Sequence, residues 1–247
     1  MTKRLLELFS GTHSVGRVAE RLGYEVVSLD RDLPANSKIY DYTSKNHIME
    51  DIMSWNYKVY PPGHFDIITA SPVCLYWSML LPSNFGKEIS RHPGVKFNRE
   101  LLEQDIEKIG KPMVDKVREI IDYFKPKYWW IENPSTGRMK EYITDLPYYD
   151  VDYCKYSDWG YKKSTRFWTN IQGFNAHKCK KDCENIITIE TLETKSTLHK
   201  KNAWNNKRPT KKHAIDMSTK VGGGSNRLER YRIPEKLIEE LLTCCKT

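Results

Sequence analysis

The chain has 247 residues, of which 39% are hydrophobic, and a formal net charge of +8. This length allows one substantial core, and this composition excludes a wholly disordered chain. No apolar run approaches the roughly 20 residues that a membrane-spanning helix needs. The first apolar stretch contains an acidic residue, Glu7, which is not typical of a signal peptide. We therefore expect an intracellular protein of the cytoplasm or nucleus, with no membrane association and no obligate protein partner.

The first 30 residues predict a strand, a turn, a helix and a second strand. Residues 4–9 form a β-type apolar run, and the glycine-bearing turn 10–16 follows it. Residues 15–22 have helical spacing and end at Gly23, and residues 25–29 read as a strand that closes on Asp30. This order is typical of a site for a nucleotide-like cofactor, in which the acid holds a ribose.

Residues 65–70 predict a buried strand, and Ser71, Pro72, Val73 and Cys74 follow it. Ligands of α/β proteins bind beyond the carboxyl ends of such strands, so Cys74 stands where a thiol can meet a substrate. The alternative is a small buried hydrophobe, which describes most free cysteines. We expect residues 83–98 to form a loop.

Residues 100–124 give the strongest helical pattern, which Gly110 and Pro112 divide or kink. Residues 128–131 predict the next strand, which ends in Glu132, and residues 167–169 predict another. A closing helix begins near Pro234. Alternating strands and helices indicate an α/β fold, Rossmann-like, with a largely parallel central sheet. Asp30, Cys74 and Glu132 then share one edge of that sheet.

The positive charge is concentrated in the later part of the chain. Residues 151–247 contain 20 Lys and Arg and 11 Asp and Glu, whereas residues 1–150 contain 20 and 21. Residues 195–232 alone hold 11 basic and 2 acidic residues. Such a segment beside a near-neutral half favours a polyanionic partner over a merely solvated loop, and Trp204 within it favours nucleic acid.

The six cysteines do not form a disulfide framework, because thiols inside a cell stay reduced. Cys179 and Cys183, with His177 nearby, could begin a metal site, but no convincing second pair follows them. We therefore expect reduced structural thiols and no metal.

Five motifs in order resemble those of the cytosine-C5 DNA methyltransferases, especially the compact enzymes of phages and large viruses. The matching runs are Leu-Phe-Ser-Gly-Thr-His-Ser-Val-Gly (8–16), Asp-Ile (51–52), Ser-Pro-Val-Cys (71–74), Glu-Asn-Pro (132–134) and Tyr-Lys-Lys-Ser-Thr-Arg-Phe-Trp-Thr-Asn (161–170). The similarity covers residues 4–170 and resumes weakly in the last 25. It implies a catalytic domain over residues 1–170, a small basic recognition segment over 171–220, and a C-terminal helix over 221–247 that returns to the catalytic domain.

The resemblance implies S-adenosylmethionine as cofactor. The turn would hold its methionine part, Asp30 its ribose, Asp51 its adenine amino group, and Ile52 would pack on the adenine ring. The implied cofactor-binding residues are Phe9, Ser10, Gly11, Thr12, His13, Ser14, Val15, Gly16, Asp30, Asp51, Ile52 and Ser71.

The resemblance also implies that DNA is the substrate and partner. Cys74 would be the nucleophile that adds to C6 of a flipped cytosine, Glu132 would hold the base at N3, and Arg166 would fix the surrounding loop. The implied DNA-binding residues are Lys162, Lys163, Ser164, Lys207, Arg208, Lys211 and Lys212. A tRNA-directed relative and a catalytically degenerate DNA-binding member of the fold are the alternatives.

Three positions depart from the family pattern. His13 stands where the family has a small glycine, and we expect it to crowd the cofactor rather than to face solvent. Val73 replaces a proline before the nucleophile. Lys162, Ser164 and Arg166 stand where the family has a glutamine and two arginines, so one arginine is lost.

Overall fold

The computed structural model describes residues 2–32, 46–190, 195–200 and 231–245. Within them, a seven-stranded sheet forms the centre of the protein. The strands in these ranges are Arg4–Leu8 (β1), Glu25–Asp30 (β2), His47–Met49 (β3), Ile67–Ala70 (β4), Glu88–Ile89 (β5), His92–Lys96 (β6), Tyr128–Pro134 (β7), Tyr148–Asp152 (β8), Ser164–Thr169 (β9), Ile186–Glu190 (β10) and Lys195–His199 (β11).

The sheet has the order β3-β2-β1-β4-β7-β9-β8, and its first five strands are parallel. Strand β9 runs antiparallel to both β7 and β8. The expected α/β fold with a largely parallel sheet is confirmed. The carboxyl ends of β1, β2, β4 and β7 therefore meet at one edge, which we call the carboxyl edge.

Five helices are present in the described ranges. They are Ser14–Arg21 (α1), Arg99–Asp105 (α2), Lys111–Phe124 (α3), Met139–Tyr142 (α4) and Glu235–Cys244 (α5). Side chains of α3 pack on one face of the sheet with Leu6 and Ile68, and side chains of α1 and α5 pack on the other with Leu5 and Ile67. Successive strand residues face opposite sides, so these apolar strands contribute to two cores.

The predicted helix over residues 100–124 is interrupted, as Gly110 and Pro112 indicated. A π-helical turn, Ile106–Gly110, separates α2 from α3. A Cβ atom at position 110 would lie 3.0 Å from the indole Cζ2 of Trp77, which is tighter than most contacts of a Cβ atom. Glycine at this position therefore lets Trp77 pack against the helix.

The expectation of a loop over residues 83–98 is wrong, since most of this segment forms a hairpin. Strands β5 and β6 pair antiparallel, and the buried Asp105 holds the turn between them. The Arg91 Nε donates to Asp105 Oδ2 at 2.6 Å, and the His92 Nε2 lies 3.0 Å from both carboxylate oxygens. The hairpin depends on a partner in α2, which local turn signals do not reveal.

Helix α5, near the C-terminus, packs against α1, near the N-terminus. Arg21 forms ion pairs with Glu235 at 2.9 Å and Glu239 at 2.6 Å, and the backbone N–H of Ile233 donates to Ser14 Oγ at 3.1 Å. None of the helices in the described ranges is both long and apolar enough to cross a membrane.

Candidate active site at the carboxyl edge

The turn after β1 is held tightly against β2. The backbone N–H of Ser10 donates to the carbonyl of Leu29 at 3.0 Å, and the N–H of Gly11 donates to Asp30 Oδ2 at 2.8 Å. Phe9, Gly11 and His13 all have positive φ, at 57°, 46° and 51°. The turn is thus a tight, strained connection, and the only glycine among these three is Gly11.

A buried carboxylate, Glu7, lies beneath the start of α1. Its Oε1 accepts the N–H of Val15 at 3.1 Å, and its Oε2 accepts the hydroxyl of Ser28 at 3.1 Å. The N-terminus of a helix favours negative charge, so this position compensates part of the desolvation of the carboxylate. A Cβ atom on Gly16 would lie only 2.6 Å from Glu7 Oε2. No functional role was predicted for Glu7, although an acid inside an apolar strand is a sequence signal for a buried carboxylate with a purpose.

His13 faces the interior of the protein and not the solvent. Only 5% of the residue is exposed, and its Nδ1 lies 3.7 Å from Glu7 Oε2. The imidazole ring also meets that of His47 edge to face, with 5.0 Å between centroids. Burial, followed by the neighbouring His13, lowers the pKa of His47, which favours its neutral form.

The remaining members of the predicted turn also lie inside the protein. Thr12 and Ser14 share a hydrogen bond of 2.8 Å between their hydroxyl groups, and Val15 packs in the core. Ser10 is 5% exposed, and its hydroxyl makes no hydrogen bond with any residue that the structure describes. A buried hydroxyl in this state calls for a partner, since such groups are normally hydrogen-bonded.

The other predicted cofactor residues follow β2, β3 and β4. Asp30 accepts the N–H of Asp32 through Oδ1 at 3.1 Å, in addition to that of Gly11. Asp51 accepts the N–H of Met53 at 2.9 Å, and the neighbouring Ile52 is buried in the core. The N–H of Ser71 donates to the carbonyl of Leu8 at 3.2 Å, so this residue leaves β4 directly beside the turn.

The loop that carries Cys74 is fixed at both ends. On one side, the side-chain amide of Asn133 donates to the carbonyl of Pro72 at 2.8 Å. On the other, the N–H of Arg138 donates to the carbonyl of Trp77 at 2.8 Å, and Trp77 is 2% exposed. Cys74 itself is half-buried and begins the short 3₁₀ helix Cys74–Trp77. The loop that carries the thiol is therefore anchored on both sides.

Glu132 lies on β7, one residue beyond the pairing of Ile131 with Ala70 of β4. The hydroxyl of Tyr153 donates to Glu132 Oε1 at 3.1 Å, and the ammonium of Lys163 lies 3.9 Å from the same oxygen. Burial, together with the charge of Glu132, raises the pKa of Tyr153 well above its ordinary value. Tyr153 therefore remains a hydrogen-bond donor at neutral pH.

The last predicted motif lies on β9 and makes contacts within the protein. Arg166 forms a bidentate ion pair with Asp150, at 2.8 and 3.0 Å, and stacks on the ring of Tyr148. Hydrogen bonding to Asp150 raises the pKa of Arg166.

Lys162 and Ser164, which were predicted to bind DNA, both contact the fully buried Asp152. Lys163 instead points at Glu132. Lys207, Arg208, Lys211 and Lys212 lie outside the described residues.

Taken together, these residues define an α/β protein of Rossmann-like type that brings a thiol and a carboxyl group to the edge where such sheets bind ligands. No protein-family model matches the chain. The chain is 40% identical, over 98% of its length and all of the relative, to a probable DNA (cytosine-5)-methyltransferase of Frog virus 3 (isolate Goorha). It belongs to the DNA (cytosine-5)-methyltransferase family.

Two solved structures are also similar to the chain, each at 15% identity. The Dnmt2 methyltransferase of S. pombe matches 74% of this chain with a TM-score of 0.39. A DNMT2 mutant of Spodoptera frugiperda matches 72% with a TM-score of 0.42. The chain spans 59% and 54% of the lengths of these two proteins.

Replacement of Gly16 by alanine tests the packing of the turn against Glu7. The helix propensity of alanine is more favourable than that of glycine by about 1 kcal/mol, but here the Cβ of alanine would overlap the buried carboxylate. We expect Gly16→Ala to lower the free energy of unfolding by about 1–3 kcal/mol, as overpacking does. Urea unfolding measures this change. Glu20→Ala, at an exposed position of α1, is the control and should stay within about 0.5 kcal/mol. A stabilised Gly16→Ala variant would contradict the packing described here.

Proposed function

We propose that the protein transfers a methyl group from S-adenosylmethionine to C5 of cytosine in DNA. The observation that carries this proposal is the junction between β4 and β7. There the hydrogen bond from Asn133 to Pro72 joins the loop of Cys74 to the strand of Glu132. A nucleophile and an acid that act on one small ring need such a fixed relation.

The turn after β1 supports the assignment of S-adenosylmethionine. Its Ser10 hydroxyl is buried without a hydrogen-bond partner in the described residues, and a bound ligand would supply one. Asp30 keeps lone pairs available beyond the two backbone N–H groups that it accepts, and these suit ribose hydroxyls. In this proposal, residues 9–16 hold the methionine part, and Asp51 and Ile52 lie at the adenine.

The proposed chemistry begins with Cys74. Its thiolate adds to C6 of cytosine, a C–S bond forms, and the displaced electron pair makes C5 nucleophilic. Glu132 holds N3 and the exocyclic amino group, and a proton shared with N3 offsets the charge that develops on the ring. S-adenosylmethionine, when bound, supplies the methyl group that C5 takes up. Transfer of the C5 proton to a water molecule then leaves its electron pair to re-form the C5–C6 double bond, which expels the Cys74 thiolate and restores the aromatic ring.

The target base must leave the duplex before this chemistry, because its reacting atoms are shielded by stacking. In the proposal, Tyr153 and Lys163 act behind Glu132. The tyrosine hydroxyl fixes the carboxyl group, and the ammonium adds positive charge 3.9 Å from it. Labelled methyl transfer into DNA and into tRNA separates the proposal from its alternatives. Transfer into tRNA alone would indicate a tRNA-directed enzyme, and DNA binding without any transfer would indicate a degenerate member.

Replacement of Cys74 tests the nucleophile. We expect Cys74→Ala to reduce methyl transfer by at least about 10³-fold, because covalent catalysis loses its only attacking group. Binding of S-adenosylmethionine, measured by calorimetry, should remain. Cys244→Ala, which removes a half-buried thiol at the end of α5, is the control and should retain activity.

A trapping experiment tests the same step without a mutation. DNA that contains 5-fluorocytosine should form a stable adduct with the wild-type protein, because fluorine cannot leave C5 as the proton does. Cys74→Ala should form no adduct. An active wild-type enzyme that forms none, or transfer at the wild-type rate by the alanine variant, would exclude this nucleophile.

Replacement of Tyr153 tests the support of Glu132. Tyr153→Phe removes only the hydroxyl that donates to Oε1, and a hydrogen bond to a charged group contributes about 1.5–3 kcal/mol. We therefore expect kcat/KM to fall about 10- to 100-fold, with a changed pH profile.

Tyr156→Phe is the matched control for Tyr153→Phe. It removes another buried hydroxyl, which accepts the backbone N–H of His177 at 2.9 Å. Both variants should lose some thermal stability, and only Tyr153→Phe should lose activity. Equal activities in the two variants would show that the contact with Glu132 is structural.

Neutralising the basic segment tests the DNA contacts. Replacement of Lys207, Arg208, Lys211 and Lys212 by glutamine should weaken DNA binding, because each lost phosphate contact lowers the slope of log K against log salt by about one unit. Fluorescence anisotropy over a series of salt concentrations measures the slope.

Lys58→Gln with Lys125→Gln is the control for the basic segment. Both lysines are exposed, and they lie in connections that lead into the amino ends of β4 and β7. The control slope should equal that of the wild type. An unchanged slope after the fourfold replacement would mean that DNA follows another path.

A further inference from the structure

Outside the carboxyl edge, the structure gathers three thiols and an imidazole. Cys154, Cys179, Cys183 and His199 form this thiol cluster, and their ligand atoms all lie within 4.8 Å of one another. Cys154 and Cys179 are buried, and Cys183 and His199 are partly buried. All three cysteines are free of disulfides.

The four side chains come from three separate parts of the chain. Cys154 lies in the 3₁₀ turn Tyr153–Lys155 after β8, Cys179 and Cys183 lie in the loop before β10, and His199 ends β11. Local chain proximity therefore explains only the Cys179–Cys183 pair.

Backbone contacts hold these parts in place. The N–H of Cys179 donates to the buried carboxylate of Asp152 at 2.7 Å. The side-chain amide of Asn185 donates to the carbonyl of Cys154 at 2.9 Å, and the carbonyl of Asn185 accepts the N–H of Lys200 at 2.9 Å. The ligand positions are thus fixed by the protein itself, as in a preformed site.

The two distances from the imidazole to the thiols match those of a tetrahedral metal site. The Nε2 of His199 lies 3.6 Å from the sulfur of Cys179 and 3.5 Å from that of Cys183. With zinc bonds of about 2.3 Å to sulfur and about 2.0 Å to nitrogen, tetrahedral geometry sets these separations at about 3.5 Å. The cluster, whose ligand atoms lie within 4.8 Å of one another, closes around an ion by side-chain shifts of about 1 Å or less.

We propose that Cys154, Cys179, Cys183 and His199 bind one Zn²⁺ in a closed, structural site. Three sulfurs and one imidazole are a ligand set that selects zinc, and four protein ligands leave no open position for catalysis. On binding, the thiols release their protons to solvent as the Zn–S bonds form. This proposal differs from the expectation drawn from the sequence, which was reduced structural thiols without a metal.

The proposed ion would fasten the β10–β11 hairpin to the end of β8. Asp152 supplies the outer contact, since its carboxylate accepts the N–H of Cys179 and pairs with Lys162 at 3.2 Å. Such outer contacts orient metal ligands and are typical of zinc sites. In this proposal, Lys162 and Ser164 hold the carboxylate of Asp152 and so support the zinc site indirectly.

The metal content of the full-length protein tests the proposal. Protein purified under reducing conditions without chelators should contain one zinc per chain by inductively coupled plasma mass spectrometry. Chelation should lower the melting temperature, and Co²⁺ in place of zinc should give the visible spectrum of tetrahedral coordination by thiolates. Absence of stoichiometric metal, together with no cobalt spectrum after reconstitution, would overturn the proposal.

Variants assign the ligands. Cys183→Ser and His199→Ala should lose more than about 100-fold in zinc affinity, beyond the range that loss of an outer-shell partner costs. His199→Cys should restore binding, which separates loss of a ligand from loss of the fold. His177→Ala and Cys244→Ser are controls and should bind as the wild type does. Equal affinity in Cys183→Ser, or a Cys179–Cys183 disulfide as the native state by mass spectrometry, would refute the site.

Discussion

The hydrogen bond from the side chain of Asn133 to the carbonyl of Pro72 joins the two halves of the candidate active site. It crosses from β7 to the loop that leaves β4, between Glu132 and Cys74. Because Ala70 pairs with Ile131, β4 and β7 end at neighbouring positions of the carboxyl edge. The hydrogen bond from Asn133 to Pro72 then fixes the loop that follows β4. The carboxyl group is consequently positioned by a strand, and the thiol by a loop that is anchored to that strand, which favours a precise geometry.

Packing at Trp77 fixes the same loop from the other side. The indole fits against Gly110 in the π-helical turn, and the backbone of Trp77 approaches Gly137, where a Cβ atom would lie 3.2 Å from its carbonyl oxygen. Trp77 therefore packs closely against both glycines. The π-helical turn places one of them, Gly110, opposite the indole ring.

Local patterns were sufficient to predict the parts of the fold that depend on local chemistry. The apolar runs of β1 and β4, the periodicity of α3 and the position of Cys74 at a strand end all follow from neighbouring residues. The hairpin held by Asp105 and the pairing of Arg166 with Asp150 do not, because each depends on a contact between distant segments. The strands β8 and β10 were also not predicted, and each pairs antiparallel with the strand that follows it in the chain.

The thiol cluster also depends on contacts between distant segments that the sequence does not reveal. It lies next to the candidate active site in the chain. The sequence revealed Cys179 and Cys183 but suggested His177, whereas the structure brings in Cys154 and His199 from outside that segment. Cys154 directly follows Tyr153, whose hydroxyl reaches Glu132 at 3.1 Å. Adjacent residues of one short turn thus contact the candidate acid and the proposed zinc ion. Because the two residues are adjacent in one short turn, the proposed ion would, by holding Cys154, also restrain the tyrosine whose hydroxyl contacts Glu132.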